Sequence, residues 1–148
     1  MSDPLYKREL LRLATGATGS GRLAMPCHSG TAHNPACGDK VTVDVTLKDG
    51  RIESLAHHTL ACVLTQASAA ILGAEATGMS RGEVEELHGA VRTMLEGGVI
   101  PSPPFDVYAV FDGAAELTSR HKCVLLPIEA VLAALDASEG GEAGGQRS

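Results

Sequence analysis

Tryptophan is absent from this chain, and aromatic residues make up only 3% of its 148 residues, so the core must consist mainly of aliphatic side chains. No apolar run reaches the roughly 20 residues that a membrane-spanning helix needs. Basic residues are also few: the chain has 12 Lys and Arg but 18 Asp and Glu, which gives a formal net charge of -6. This balance argues against nucleic acid or an anionic membrane as the main partner.

The N-terminal segment is charged and does not resemble a secretory signal, so we expect a cytoplasmic protein. In that reducing compartment the four cysteines should be thiols or metal ligands rather than disulfides.

The clearest structural signal is the alternation of apolar and polar residues at 41–48, which predicts a strand with one buried face. An Asp-Gly turn at 49–50 then predicts an antiparallel hairpin with a second strand at 52–60. Residues 22–31 are ambiguous and could add an edge strand.

Helical patterns surround the hairpin: one at 4–14, one at 62–76 and one opened by a Ser-x-x-Glu capping box at 80–83. A last helix is expected at about 124–135, starting near Cys123 because Pro127 fits a first turn. The expected fold is α+β, a small antiparallel three-stranded sheet with helices packed on one face. We expect this domain over residues 1–136 and a disordered Gly-rich tail over 137–148.

Three cysteines and one carboxylate stand where the chain turns between elements: Cys37, Asp39, Cys62 and Cys123. Cys37 and Asp39 precede the first hairpin strand and Cys62 follows the second, so all three should lie at one end of the sheet. Cys62 and Cys123 also fall at predicted helix N-termini, where the partial positive charge favours a thiolate. Thiolates and a carboxylate are ligands for zinc or an iron–sulfur cluster.

At these residues the chain resembles the iron–sulfur cluster assembly scaffolds, the NifU N-terminal or IscU-like domain family. The resemblance rests on Asn-Pro-Ala-Cys-Gly-Asp at 34–39, Ala-Cys-Val-Leu-Thr-Gln-Ala-Ser-Ala at 61–69, and Lys122-Cys123 before a last helix. Lys122 before the third cysteine, with an extra segment at 101–117, resembles the SufU-like branch.

The resemblance implies four ligands, Cys37, Asp39, Cys62 and Cys123, for Zn²⁺ or a [2Fe–2S] cluster. It implies sulfur acceptance from a cysteine desulfurase, with Cys37 and Cys123 as candidate acceptors, and apo iron–sulfur proteins as further partners. Lys122 is expected either to steady a thiolate or persulfide by its charge or to be solvated. Whether the chain is a scaffold or a zinc-dependent sulfurtransferase stays open at this point.

Three alternatives remain at the level of sequence. His121 could replace Asp39 as the fourth ligand, and Asp39 could instead cap a turn. Cys27, and the histidines at 33, 57 and 58, are interpreted as structural. The family's Asn-Pro-Arg-Asn-like motif is missing at residues 14–21. Its absence leaves room for a second function, a structural zinc-binding or partner-binding module without sulfur-transfer activity.

Overall fold

The computed structural model describes residues 4–16, 19–24, 28–34, 38–114 and 118–142. Two of the four cysteines, Cys27 and Cys37, lie outside these residues. The elements follow in the order α1 Pro4–Gly16, β1 His28–Asn34, β2 Asp39–Lys48, β3 Arg51–Leu60, α2 Val63–Glu75, α3 Arg81–Leu95, a 3₁₀ helix Phe105–Ala114, and α4 Thr118–Glu142.

The predicted hairpin is confirmed by the antiparallel pairing of β2 with β3. Asp49 and Gly50 form its turn with φ values of 55° and 77°, as expected for the two-residue turn that suits twisted strands. The alternation in β2 buries Val41, Val43 and Val45 against the helices. A one-residue irregularity between Thr46 and Leu47 shifts the register near the turn.

The sheet has three strands in the order β1-β2-β3, and both pairings are antiparallel, which confirms the expected α+β fold. The ambiguous region does contribute an edge strand, β1. Helix α4 packs directly on β1, and a Cβ at Gly30 would overlap the backbone of Ala133 and Ala134. The glycine therefore allows the helix to approach the strand backbone closely.

Helices α2 and α4 contact the sheet, α1 packs on α2, and α3 packs on α4. The capping box predicted for α3 is present: the Ser80 side chain accepts from the Glu83 backbone and the Glu83 side chain accepts from the Ser80 backbone. Tyr108 and Phe111 of the 3₁₀ helix are fully buried and bring two aromatic rings into an otherwise aliphatic core.

The predicted start of the last helix is wrong. Helix α4 begins at Thr118, so Cys123 lies inside it and not at its N-terminus, and Pro127 is an internal proline. The helix also continues through Glu142, so residues 137–142 of the predicted tail are helical. Residues 143–148 lie outside the described part of the chain, and the division into domain and tail stays a prediction.

Helix α2 supplies a hydrogen bond to the carbonyl of α4 that the internal proline leaves without its usual donor. Pro127 has no N–H for the carbonyl of Cys123, four residues earlier, and its ring disturbs the turn before it. The Thr65 hydroxyl lies 3.0 Å from the Cys123 carbonyl oxygen. The Ser68 hydroxyl donates to the next carbonyl, that of Val124, at 2.7 Å. Two hydroxyls of α2 thus contact two successive carbonyls of α4, and the first contact compensates for the N–H that Pro127 lacks.

Candidate metal centre

Asp39, Cys62 and Cys123 converge at one end of the sheet. Their carboxylate oxygen and two sulfur atoms all lie within 4.8 Å of one another. Asp39 is the first residue of β2 and Cys62 follows β3, so the hairpin brings them together as the sequence predicted. The third member, Cys123, comes from α4, and its approach was expected only from the family resemblance.

The three residues differ in exposure. Asp39 is 4% and Cys123 5% exposed, whereas Cys62 is half-buried. Cys62 is the N-cap residue of α2, which confirms the helix N-terminus predicted for it. Cys123 instead projects from the second turn of α4, where the helix N-terminal charge is weaker. The expected fourth ligand, Cys37, lies outside the described residues.

The Asp39 carboxylate occupies the N-terminus of α2. Cys62 gives this helix no side-chain cap, and its backbone N–H points to Asp39 Oδ1 at 3.3 Å. The second oxygen, Oδ2, accepts a hydrogen bond from the Thr65 hydroxyl at 2.9 Å. Asp39 therefore caps α2 from a neighbouring strand, and the positive end of the helix favours its charged form.

Thr65 is the residue that sequence reasoning missed. Its buried hydroxyl contacts Asp39, the Cys123 carbonyl and, at 3.5 Å, the Cys62 sulfur. The available signal was its position three residues after Cys62, where a side chain can turn back toward the helix N-terminus.

The other sequence candidates do not join this cluster. Among the described residues, His121 is not one of the ligand groups that converge there. It precedes Cys123 by two residues on one helix, and residues so spaced point to different sides. Lys122 is exposed next to Cys123. The histidines at 33, 57 and 58 also lie outside the cluster.

The donor set fits zinc or an iron–sulfur cluster. Soft thiolates select these groups, and a carboxylate oxygen is an accepted zinc ligand. Ligand atoms in a tetrahedral zinc site with bonds of about 2.0–2.3 Å lie about 3.3–3.8 Å apart. Separations of at most 4.8 Å thus require only small side-chain movements.

An apolar rim borders the site. Leu60 and Val63, on either side of the Cys62 turn, are 58% and 38% exposed. Within the described residues, no helix combines the length and the apolar character required to cross a membrane.

Comparison with known proteins agrees with this geometry. The chain is similar in structure to a nitrogen-fixing NifU-like protein (N-terminal) from Brucella abortus, with 30% identity and a TM-score of 0.85 over 90% of this chain and 94% of that one. A hypothetical protein has a TM-score of 0.80 at 23% identity, over 89% of this chain and 97% of that one.

A candidate iron–sulfur cluster assembly scaffold protein for the SUF system from Fervidobacterium islandicum AW-1 has a TM-score of 0.77. It is 20% identical, over 86% of this chain and 93% of that one, so it supports the fold alone. Among curated protein sequences there is no match. Residues 5–115 match the family model of the NifU-like N-terminal domain, and the chain therefore belongs to the NifU-like N-terminal domain family.

Proposed function

We propose that this chain is an iron–sulfur cluster assembly protein that binds a metal ion or nascent cluster and accepts sulfur from a cysteine desulfurase. The observation that carries the proposal is the convergence of Asp39, Cys62 and Cys123 within 4.8 Å. Membership of the NifU-like family supports the same interpretation. Cys37 completes the ligand set in the proposal.

Bound zinc would order the thiols and favour their deprotonated form. The protein's own contribution is to hold two sulfurs and a carboxylate together before any metal arrives. Asp39 is the natural exchangeable ligand, because α2 offers its carboxylate two hydrogen bonds when it leaves the metal. Its departure would open a coordination position.

Sulfur transfer is thiol–persulfide exchange. A cysteine thiolate of this chain attacks the terminal sulfur of the desulfurase persulfide and forms a new S–S bond. The S–S bond of the desulfurase breaks, its cysteine leaves as a thiolate, and the acceptor becomes a persulfide. Cys37 and Cys123 are the candidate acceptors. Cys123 is only 5% exposed, which argues against it as the first acceptor, and we therefore propose Cys37.

The apolar rim is the proposed contact for the desulfurase. A partner that covers Leu60 and Val63 would deliver its persulfide beside Cys62 and the rest of the site. Lys122, which is exposed next to Cys123, would meet the negative charge of an arriving persulfide. Both residues of the rim lie close in sequence to a proposed ligand, so docking and transfer would share one end of the molecule.

Persulfide labelling tests the transfer. The reduced protein is incubated with free cysteine and a cysteine desulfurase, and each cysteine of the chain is assayed for bound sulfur. We expect bound sulfur on Cys37 of the wild-type chain and none in Cys37→Ser. The wild-type chain should also raise the turnover of the desulfurase above that of the desulfurase alone. A chain that binds metal, takes no label and leaves turnover unchanged would instead be a structural zinc-binding or partner-binding module.

A further inference from the structure

One hydroxyl joins all three described residues of the metal centre. Thr65 Oγ1 lies 2.9 Å from Asp39 Oδ2, 3.0 Å from the Cys123 carbonyl oxygen and 3.5 Å from Cys62 Sγ. A threonine hydroxyl has one hydrogen to donate. Two oxygen acceptors therefore share it, and a change at either acceptor affects the bond to the other.

Pro127 removes the usual competitor for the acceptor on α4. An ordinary residue at that position would donate its N–H to the Cys123 carbonyl, which Thr65 would then share with the backbone of α4. With proline there, the backbone of the cysteine ligand is bonded to α2. The Asp39 carboxylate is bonded to the same side chain and is 4% exposed, so no bulk water replaces a lost partner.

We infer that Thr65 is a positioning residue for the metal centre. It orients the Asp39 carboxylate through Oδ2 and holds the Cys123 backbone, so that the ligand atoms are arranged before metal binding. This role rests on the proposed function, since it assumes that Asp39 and Cys123 are ligands. Groups that hydrogen-bond to metal ligands typically contribute about 10–100-fold to metal affinity.

Ser68 provides a matched control. It lies one turn after Thr65 on α2, is equally buried, and donates to the carbonyl of Val124, the residue after Cys123. Ser68→Ala therefore removes a similar bond between α2 and α4, together with the 3.1 Å contact of Ser68 with the buried Tyr108 hydroxyl, without touching Asp39. Thr65→Val removes the hydroxyl at nearly constant volume, and Thr65→Ser keeps it.

The test is Zn²⁺ affinity measured by chelator competition on the full chain, together with the absorption spectrum of the Co²⁺ form. Thr65→Val should bind Zn²⁺ about 10–100-fold more weakly and shift the Co²⁺ d–d bands, whereas Thr65→Ser and Ser68→Ala should stay within about threefold. Urea unfolding of the metal-free forms should show a loss of stability for both Thr65→Val and Ser68→Ala, because each removes buried hydrogen bonds.

Two results would overturn this role: wild-type affinity in Thr65→Val, or an equal loss of affinity in Ser68→Ala, which would mean that only helix packing matters. If Thr65→Val does not fold, Thr65→Ser decides. A loss of Zn²⁺ affinity in Thr65→Ser as large as that of an unfolded control would also count against the positioning role of Thr65. The proposed function fails separately, if Cys62→Ala keeps stoichiometric zinc. Loss of zinc in Cys62→Ala beside normal binding in Thr65→Val would reject the Thr65 role alone.

Discussion

Pro127 lies four residues after Cys123 in α4 and offers no N–H to the Cys123 carbonyl, which lies 3.0 Å from the Thr65 hydroxyl of another helix. This arrangement ties a proposed ligand to α2, the helix whose N-terminus holds Cys62 and the Asp39 carboxylate. The proposed metal centre thus lies where two helices and one hairpin meet, with one threonine at their junction.

Asp44 is expected to stabilise the fold through its buried carboxylate. Its side chain is fully buried and accepts hydrogen bonds from Arg22, Ser29 and the Leu23 backbone. Asp44→Asn should lower the free energy of unfolding at pH 7 by about 2–4 kcal/mol. Glu85→Gln, which alters an exposed ion pair, should change it by less than about 1 kcal/mol.

This effect should depend on pH. The hydrogen bonds from Arg22 lower the pKa of Asp44, against the opposing effect of burial. A carboxyl whose pKa is lowered by folding stabilises the protein above its unfolded pKa of about 3.9 and ceases to do so as pH falls through its folded pKa. Urea titrations should show the gap between wild type and Asp44→Asn closing in acid. A gap that widens in acid would contradict the assignment.

Two glycine substitutions should have opposite effects on stability. Gly30→Ala places a methyl group into the backbone of α4 and should cost about 1–3 kcal/mol. Gly89→Ala, inside α3 with no atom within 4 Å of the new methyl, should gain about 0.5–1 kcal/mol. Urea denaturation measures both changes in stability, as shifts of the unfolding midpoint at an unchanged m-value. Equal effects at the two positions would argue against the close packing of α4 on β1.

The apolar rim should matter for partner binding and not for metal binding. Leu60→Asp should raise the concentration needed to stimulate a desulfurase about tenfold, the effect of roughly 1.4 kcal/mol. Its zinc content should not change. The control is Lys48→Asp at the far end of the 10-residue strand β2, about 30 Å away. A similar loss in both variants would indicate a charge effect rather than docking at the rim.

The hairpin and the start of α3 could be predicted because their signals are local. Alternating residues, an Asp-Gly turn and a capping box each determine the structure of a few neighbouring residues. Hairpin geometry alone also brings Asp39 and Cys62 together, because the start of one strand and the end of its antiparallel partner lie at the same end of the sheet. The position of Cys123 could not be predicted in this way, because the residues near it in sequence do not indicate which surface α4 packs against.

The start of α4 was predicted wrongly because the cost of Pro127 depends on more than its own helix. A proline inside a helix is costly when the carbonyl four residues before it is left without a hydrogen-bond donor. Here the Thr65 hydroxyl of a distant segment supplies that partner, and a single sequence does not show the contact.

The metal content of cysteine and aspartate variants tests the central claim most directly. The chain is purified anaerobically, and zinc, iron and sulfide are measured per chain for wild type, Cys37→Ala, Asp39→Ala, Cys62→Ala and Cys123→Ala, with Cys27→Ala as control. We predict about one zinc ion or one cluster in wild type and Cys27→Ala, and loss of the metal in the three ligand-cysteine variants. Stoichiometric metal that survives all of these substitutions would contradict a shared site.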